Sequence, residues 1–193
     1  MKKADVCPWQ AGNLLASSAR KLIHNPHRIL APYITEGMTV MDVGCGMGYF
    51  TIPIAQMVKE NGKVAAIDIQ REMLEGMLMK AKKTGLENCI EPCLSGENGL
   101  NIGDLYGTIQ FAILFMMLHE VPNRKHLVQE VSDALAQDGK ILFAEPVFHV
   151  GKSSFEQSLQ VFRKAGLTVK ETPRIAFCRA VLLEKVSMPD EKS

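Results

Sequence analysis

The stretch Val40-Met41-Asp42-Val43-Gly44-Cys45-Gly46-Met47-Gly48-Tyr49-Phe50 constrains this chain more than any other. It reads as a buried strand running straight into a glycine loop, with a helix following over Thr51–Val58. Glycines on alternate positions remove the Cβ atoms from one side of the loop, so a ligand can lie against bare backbone. The N–H groups of such a loop and the N-terminus of the helix are expected to point at that ligand. The segment therefore predicts a nucleotide-like cofactor at the end of the first strand.

Spacing narrows the choice of cofactor. In the dinucleotide fingerprint G-x-G-x-x-G, Gly44 and Gly46 fit, but the third glycine position holds Tyr49 and Gly48 sits one residue early. No G-x-x-x-x-G-K-[ST] phosphate loop is present. A second apolar segment, Lys63–Asp68, ends in a carboxylate 20 residues after Gly48. A carboxylate at the tip of the second strand can accept hydrogen bonds from both hydroxyls of a ribose. A solvated strand-end aspartate is the plainer alternative.

Patterning along the rest of the chain predicts alternating strands and helices. Two short helices interrupted by Pro26 are expected between Asn13 and Leu30, forming an N-terminal helical cap over residues 1–36. Met73, Leu74, Met77, Leu78 and Ala81 share one face of a helix from Arg71 to Lys83, closed by Gly85. Strand three is placed at Cys89–Leu94, where Pro92 calls for a bulge or an edge position. Strand four, Ile109–Phe115, is a continuous apolar run of the kind buried on both faces. A helix is expected over Arg124–Ala136, then a turn at Asp138-Gly139 into strand five, Lys140–Glu145. A helix over Ser154–Lys164 and two last strands, Thr168–Thr172 and Ile175–Glu184, follow. Strand–helix alternation makes the sheet mostly parallel and wound on both faces, while the tight link between the last two strands requires an antiparallel pair. The main domain is expected over residues 37–186, with a frayed tail at 187–193.

The Asp-x-Gly-x-Gly-x-Gly loop, the strand ending in Asp68 and the later Leu118-His119-Glu120-Val121 segment together resemble class I S-adenosylmethionine-dependent methyltransferases, in the family's order of elements from about Met38 to Lys185. The resemblance implies a Rossmann-like, doubly wound α/β fold with a seven-stranded sheet and an antiparallel last strand. It implies S-adenosyl-L-methionine as cofactor, met by Gly44, Cys45, Gly46 and Gly48, with Asp42 facing its methionine portion and Asp68 its ribose. Ile69 resembles the apolar residue that packs on adenine, though core packing is an equal alternative. The family's Gly-Asp-Ala after strand three is here Ser95-Gly96-Glu97, so Gly96 stands where an aspartate reads adenine and Glu97 could substitute by a one-residue shift. Strand four begins with Gln110 in place of the usual aspartate, a mostly structural position.

Phe115, Met116 and Met117 could wall a cofactor or acceptor pocket, or fill the core. His119 reads either as a general base, since imidazole titrates near neutrality, or as a histidine bonded to backbone at a helix start. Glu120 divides likewise between substrate contact and helix capping. Trp9 could act in a lid or anchor the N-terminal helix.

Totals exclude several classes. Twenty-two basic and 21 acidic residues leave a net charge of +1, which offers no electrostatic footprint for nucleic acid or an anionic membrane. The Asn/Asp-Pro-Pro-Tyr motif of adenine and glutamine methyltransferases is absent. Cys7, Cys45, Cys89, Cys93 and Cys178 are odd in number and lack a C-x-x-C pair, so they predict free thiols, no metal site and a reducing, cytoplasmic location. No apolar run is long enough to span a bilayer and no signal-peptide core opens the chain. Methyl transfer to a small-molecule acceptor is the expected function. A non-catalytic cofactor-binding module, a protein or RNA methyltransferase and, more remotely, a nicotinamide-dependent oxidoreductase are the rivals.

Overall fold

The computed structural model describes residues 22–96 and 99–186. The expectations for Cys7, Trp9, Glu97 and the tail after residue 186 lie outside these. The described chain opens on helical residues 22–23, breaks at 24–25 and resumes as α1 (Pro26–Leu30), the interruption expected at Pro26, and Asn25 caps α1 by accepting the Arg28 N–H. Then come β1 (Thr39–Val43), α2 (Thr51–Val58), β2 (Lys63–Asp68), α3 (Arg71–Lys83), β3 (Ile90–Leu94) and β4 (Ile109–Phe115). They are followed by α4 (Arg124–Ala134), β5 (Leu135–Pro146), α5 (Lys152–Lys164), β6 (Leu167–Glu171) and β7 (Cys178–Lys185).

The strands form one seven-stranded sheet in the order β3-β2-β1-β4-β5-β7-β6, with β7 antiparallel to both its neighbours. This is the expected doubly wound, mostly parallel sheet. Pro92 is accommodated because β3 is an edge strand, so its missing N–H removes no ladder bond on the open side. The Gln110 side chain accepts the Thr39 N–H at 3.0 Å, a structural link between the starts of β4 and β1.

Alternation along the central strands divides the core in two. Met41, Val43, Ala112, Leu114, Ile141 and Phe143 pack towards α4 and α5. Val40, Val64, Ala66, Phe111, Ile113 and Leu142 pack towards α1, α2 and α3. Asp42 and Asp68 share the parity of the second set, so both carboxylates rise on the α2–α3 side of the sheet.

Most boundaries agree with the sequence expectation to within two residues, but those around β5 and β7 differ by more. The helix before β5 ends at Ala134, because Leu135 already pairs with Ile109. Asp138, at φ +61°, and Gly139 then form a bulge within β5 rather than a turn ahead of it. Ile175–Phe177 belong to a connection, not to the last strand: Phe177 takes φ +57° and the Cys178 N–H turns back to the Ile175 carbonyl at 3.1 Å.

Candidate active site

The carboxyl ends of β1, β2, β4 and β5 meet along one edge of the sheet, where the strand order reverses between β1 and β4. Open α/β sheets bind ligands at such a reversal. The expected site residues that are described stand at this edge, Glu97 lying outside the described residues.

The glycine loop divides into two kinds of position. Gly44, Gly46 and Gly48 all have positive φ, at 73°, 53° and 79°. A Cβ at Gly48 would sit 2.6 Å from Met77 Cγ, and one at Gly44 would sit 3.1 Å from the Met117 side chain. A side chain at either position would press on a methionine of the protein itself. A Cβ at Gly46 would meet nothing closer than Met73 Sδ at 4.0 Å, so Gly46 presents bare backbone outward. Gly44 is exposed and Gly46 half-buried, so both keep backbone at the surface, whereas Gly48 is buried against Met77.

The loop amides also behave differently from expectation. Gly44 and Cys45 N–H both donate to the Ile67 carbonyl at 2.9 Å, Gly48 N–H to the Cys45 carbonyl at 3.0 Å, and Gly46 N–H to Asp68 Oδ2 at 2.9 Å. With these four donors engaged inside the protein, they cannot cradle a phosphate. The loop instead places two acids, Asp42 and Asp68, around its glycines, which suits a ligand without phosphate and with positive charge.

Asp68 is held firmly. Its Oδ1 accepts the Gln70 N–H at 2.9 Å while Oδ2 takes Gly46, and Ser95 N–H donates to its carbonyl at 3.0 Å. Burial raises its carboxyl above the usual range, opposed by the N–H groups of Gln70 and Gly46. A carboxylate has about four acceptor sites, and the N–H groups of Gln70, Gly46 and Ile69 do not use all of them. Asp42 is buried and its Oδ2 accepts the Thr51 hydroxyl at 2.6 Å, tying β1 to the first turn of α2. The Cys45 side chain turns into the core, where burial, with Asp42 and then Asp68 nearby, pushes its thiol well up and keeps it protonated. Any ligand contact at residue 45 comes from backbone.

Ile69 is 56% exposed beside Asp68, which excludes core packing. Gly96 forms a small bridge with Gly99, each amide donating to the other's carbonyl at 3.2 Å. Glu130 on α4 pins that turn by accepting the Leu100 N–H. Phe115 is not an acceptor wall: its ring is buried, 4.6 Å from Phe50 and edge-on to His24 at 5.3 Å.

His119 lies in a short 3-10 turn over Leu118–Glu120, after the carboxyl end of β4. Its backbone N–H donates to Glu145 Oε1 at 2.9 Å, and its Nδ1 lies 2.6 Å from Glu145 Oε2. A carboxylate accepts, so Nδ1 carries the proton, and in the neutral imidazole Nε2 is then the nitrogen with the lone pair. Nε2 is 3.9 Å from Glu120 Oε1, beyond hydrogen-bond reach, and the Arg124 guanidinium donates to the His119 carbonyl at 3.0 Å. Glu145 is 2% exposed; burial raises its carboxyl, and the contact with His119 opposes that rise. Glu145 was not singled out by the sequence reading, although it carries the same signal as Asp68: one acid ending an apolar strand, Ile141-Leu142-Phe143-Ala144-Glu145. Among the described residues no cluster of His, Cys, Asp and Glu suits a metal ion, and no helix is long and apolar enough to cross a membrane.

Comparison with known proteins agrees with this geometry. The model of the methyltransferase domain family matches residues 34–176. The chain is 28% identical over 121 residues to aklanonic acid methyltransferase DauC of Streptomyces sp. (strain C5), covering 62% of this chain and 53% of that protein. It is 29% identical over 112 residues to the demethylmenaquinone methyltransferase of Bacillus cytotoxicus, covering 58% of this chain and 46% of that protein. It thus spans about half the length of these curated relatives. A SAM-dependent methyltransferase from Aquifex aeolicus superimposes with a TM-score of 0.82 at 26% identity, covering 94% of this chain and 100% of that one. Fold, site edge and family match together place the chain in the class I S-adenosylmethionine-dependent methyltransferases.

Proposed function

We propose that the chain transfers a methyl group from S-adenosylmethionine to a small-molecule acceptor whose nucleophile must lose a proton. The observation that carries this reading is the His119–Glu145 pair standing on the same sheet edge as the Gly46–Asp68 pair. One pair grips, the other deprotonates.

The residues fit the cofactor. Gly46 offers an uncovered backbone surface, and Asp68 keeps acceptor capacity for ribose hydroxyls after bonding Gly46 and Gln70. Ile69 offers an exposed apolar side chain to adenine next to the Gly96 turn. Asp42, with its charge beneath the loop, favours a cationic methionine portion. When bound, S-adenosylmethionine supplies a methyl group on a sulfonium, whose sulfur keeps the electron pair of the bond that breaks.

His119 supplies the base. Glu145 holds Nδ1–H, fixes the tautomer and balances the imidazolium that forms when Nε2 takes the acceptor's proton. Such proton transfer contributes about 10²- to 10⁴-fold, and orientation of the reactants a further ~7–11 kcal/mol of barrier. Arg124, by holding the His119 carbonyl, keeps the turn in place. Glu120 lies at the Nε2 end, placed to meet an acceptor.

The small-molecule assignment is supported by near-neutral charge and by the relatives named for aklanonic acid and demethylmenaquinone. The engaged loop amides weigh against a nicotinamide dinucleotide, whose pyrophosphate needs them. A base dyad is unneeded in a non-catalytic module. Incubation with methyl-labelled cofactor and a small-molecule extract tests the reading. Label in a low-mass product, lost in His119→Ala, supports it; label only in protein or RNA, or none with cofactor bound, overturns it.

A further inference from the structure

One strand outward from Glu145 the sheet is incomplete. The β6–β7 ladder ends at the Glu171–Leu182 pair, so β7 runs on over residues 178–181 with no β6 residue beside it. On its inner side the same stretch stays paired to β5, with Arg179 opposite Glu145. Residues 172–175 leave the sheet, and the N-terminal half of α5 stands across from them. Between them lies a groove of about 490 Å³, within the size range of small-ligand sites.

The groove has an apolar floor and a cationic rim. Phe155 and Leu159, one turn apart on α5, are buried, and the Phe155 ring is stacked on Phe143 at 5.1 Å. Lys152, Arg174 and Arg179 bring three positive charges to the groove, and Glu156 brings one negative charge. Arg163 already takes Glu156, at 2.9 Å. Lys152 and Arg174 are exposed and have no ion pair or side-chain hydrogen bond among the described residues. Arg179 is half-buried and held in place, because its Nη1 donates to the Val150 carbonyl at 2.6 Å. A guanidinium carries five N–H donors, so most of this fork stays available and is already oriented. The near-neutral total of the chain hides this local excess of positive charge.

We propose that the groove is a second ligand site, separate from the methyl-transfer centre, and that it takes a small apolar molecule carrying one carboxylate. The carboxylate meets the Arg179 fork between Lys152 and Arg174, and the apolar body lies on Phe155 and Leu159. Charge complementarity selects this occupant. A neutral apolar compound leaves the fork without an acceptor, and a small inorganic anion gains nothing from the floor. The chain closes the groove at both ends, by the Glu171–Leu182 step and by the Cys178 N–H turning back to the Ile175 carbonyl at 3.1 Å. A small molecule fits such a space, and a peptide strand running through it does not.

Octanoate, 1-octanol and acetate are the probes, each titrated calorimetrically into the full chain. Octanoate binds saturably, and its affinity falls as salt is raised. It exceeds acetate by about 4-fold for each methylene buried, and 1-octanol by about 10-fold or more through the charge-assisted bond. Arg179→Gln weakens octanoate about 10- to 150-fold. That variant also frees the Val150 carbonyl, so Lys152→Gln and Arg174→Gln, at exposed positions, carry the test if it does not fold; each weakens octanoate about 2- to 5-fold. None of the three moves 1-octanol. The dissociation constant of S-adenosylhomocysteine is the same with and without saturating octanoate. Octanoate that binds no tighter than 1-octanol or acetate, or that none of the variants weakens, overturns the site. Displacement of S-adenosylhomocysteine by octanoate puts the ligand in the methyl-transfer centre and overturns it as well.

Discussion

Glu145 accepts two hydrogen bonds from one residue, His119, through its backbone N–H at 2.9 Å and its Nδ1 at 2.6 Å. The two residues are 26 apart in sequence, and adjacent parallel strands β4 and β5 bring them together. The double contact fixes both the position and the tautomer of the imidazole.

Glu145→Gln keeps the shape and an oxygen for the backbone N–H, but presents an amide N–H to Nδ1. The imidazole then protonates Nε2, and the lone pair turns inward. The expected loss in kcat is about 10²- to 10⁴-fold, the usual contribution of a positioned base. Steady-state kinetics together with a cofactor titration check this: kcat falls, and the dissociation constant of S-adenosylmethionine does not move.

The same residue makes stability depend on pH. Burial raises the Glu145 carboxyl in the folded protein, and Asp68 is raised likewise. Between the unfolded value, about 4.3 for Glu, and the raised folded value, the folded state binds more protons than the unfolded one. Stability from these groups therefore increases as pH falls through the folded pKa, and it levels off below the unfolded one. Urea unfolding of wild type and Glu145→Gln across that window should show wild type gaining on the variant as pH falls. A gap that widens in the variant's favour as pH falls contradicts the assignment.

Asp68→Ala removes the ribose acceptor and also the partner of Gly46 N–H and Gln70 N–H. Each charged hydrogen bond to a hydroxyl contributes about 1.5–3 kcal/mol, so the cofactor weakens by about 10- to 150-fold. Leaving the two amides unpaired costs about 1–3 kcal/mol each where they remain dry, so the melting temperature falls as well. Asp68→Asn keeps one acceptor and lies between the two in both calorimetry and thermal melts.

Glycines 46 and 48 separate function from packing. Gly48→Ala forces a Cβ to 2.6 Å from Met77 Cγ at φ +79°, and overpacking plus the left-handed backbone costs about 2–4 kcal/mol. Gly46→Ala meets no protein atom closer than Met73 Sδ at 4.0 Å and carries only the backbone cost, about 1–2 kcal/mol, while its methyl group occupies the ligand's surface. Thermal melts should rank Gly48→Ala below Gly46→Ala. Cofactor titration of folded protein should rank them the other way.

Much of the fold was legible because its signals are local. Apolar runs such as Ile109–Phe115 name buried strands, and Pro92 on an edge follows from one missing N–H. The Asp138-Gly139 bulge was not legible, since it depends on Leu135 pairing with Ile109 across the sheet. In the site, Asp68 could be found from its distance to the glycine loop. The separate duties of Gly44, Gly46 and Gly48 could not, because they depend on Met117 and Met77 arriving from elsewhere. Phe115 and Cys45 show the same limit: residue type allowed a ligand contact, but strand parity turned Phe115, and the loop turned Cys45, into the core. Glu145 needed the knowledge that β5 lies beside β4, which order along the chain does not state.

Calorimetric titration of S-adenosylmethionine into wild type, Asp68→Ala and Glu145→Gln probes the grip most directly. Saturable binding to wild type, weakened in Asp68→Ala and equal in Glu145→Gln, is the predicted pattern. A folded wild type that takes up no cofactor, or an Asp68→Ala protein that binds it as tightly, contradicts the account.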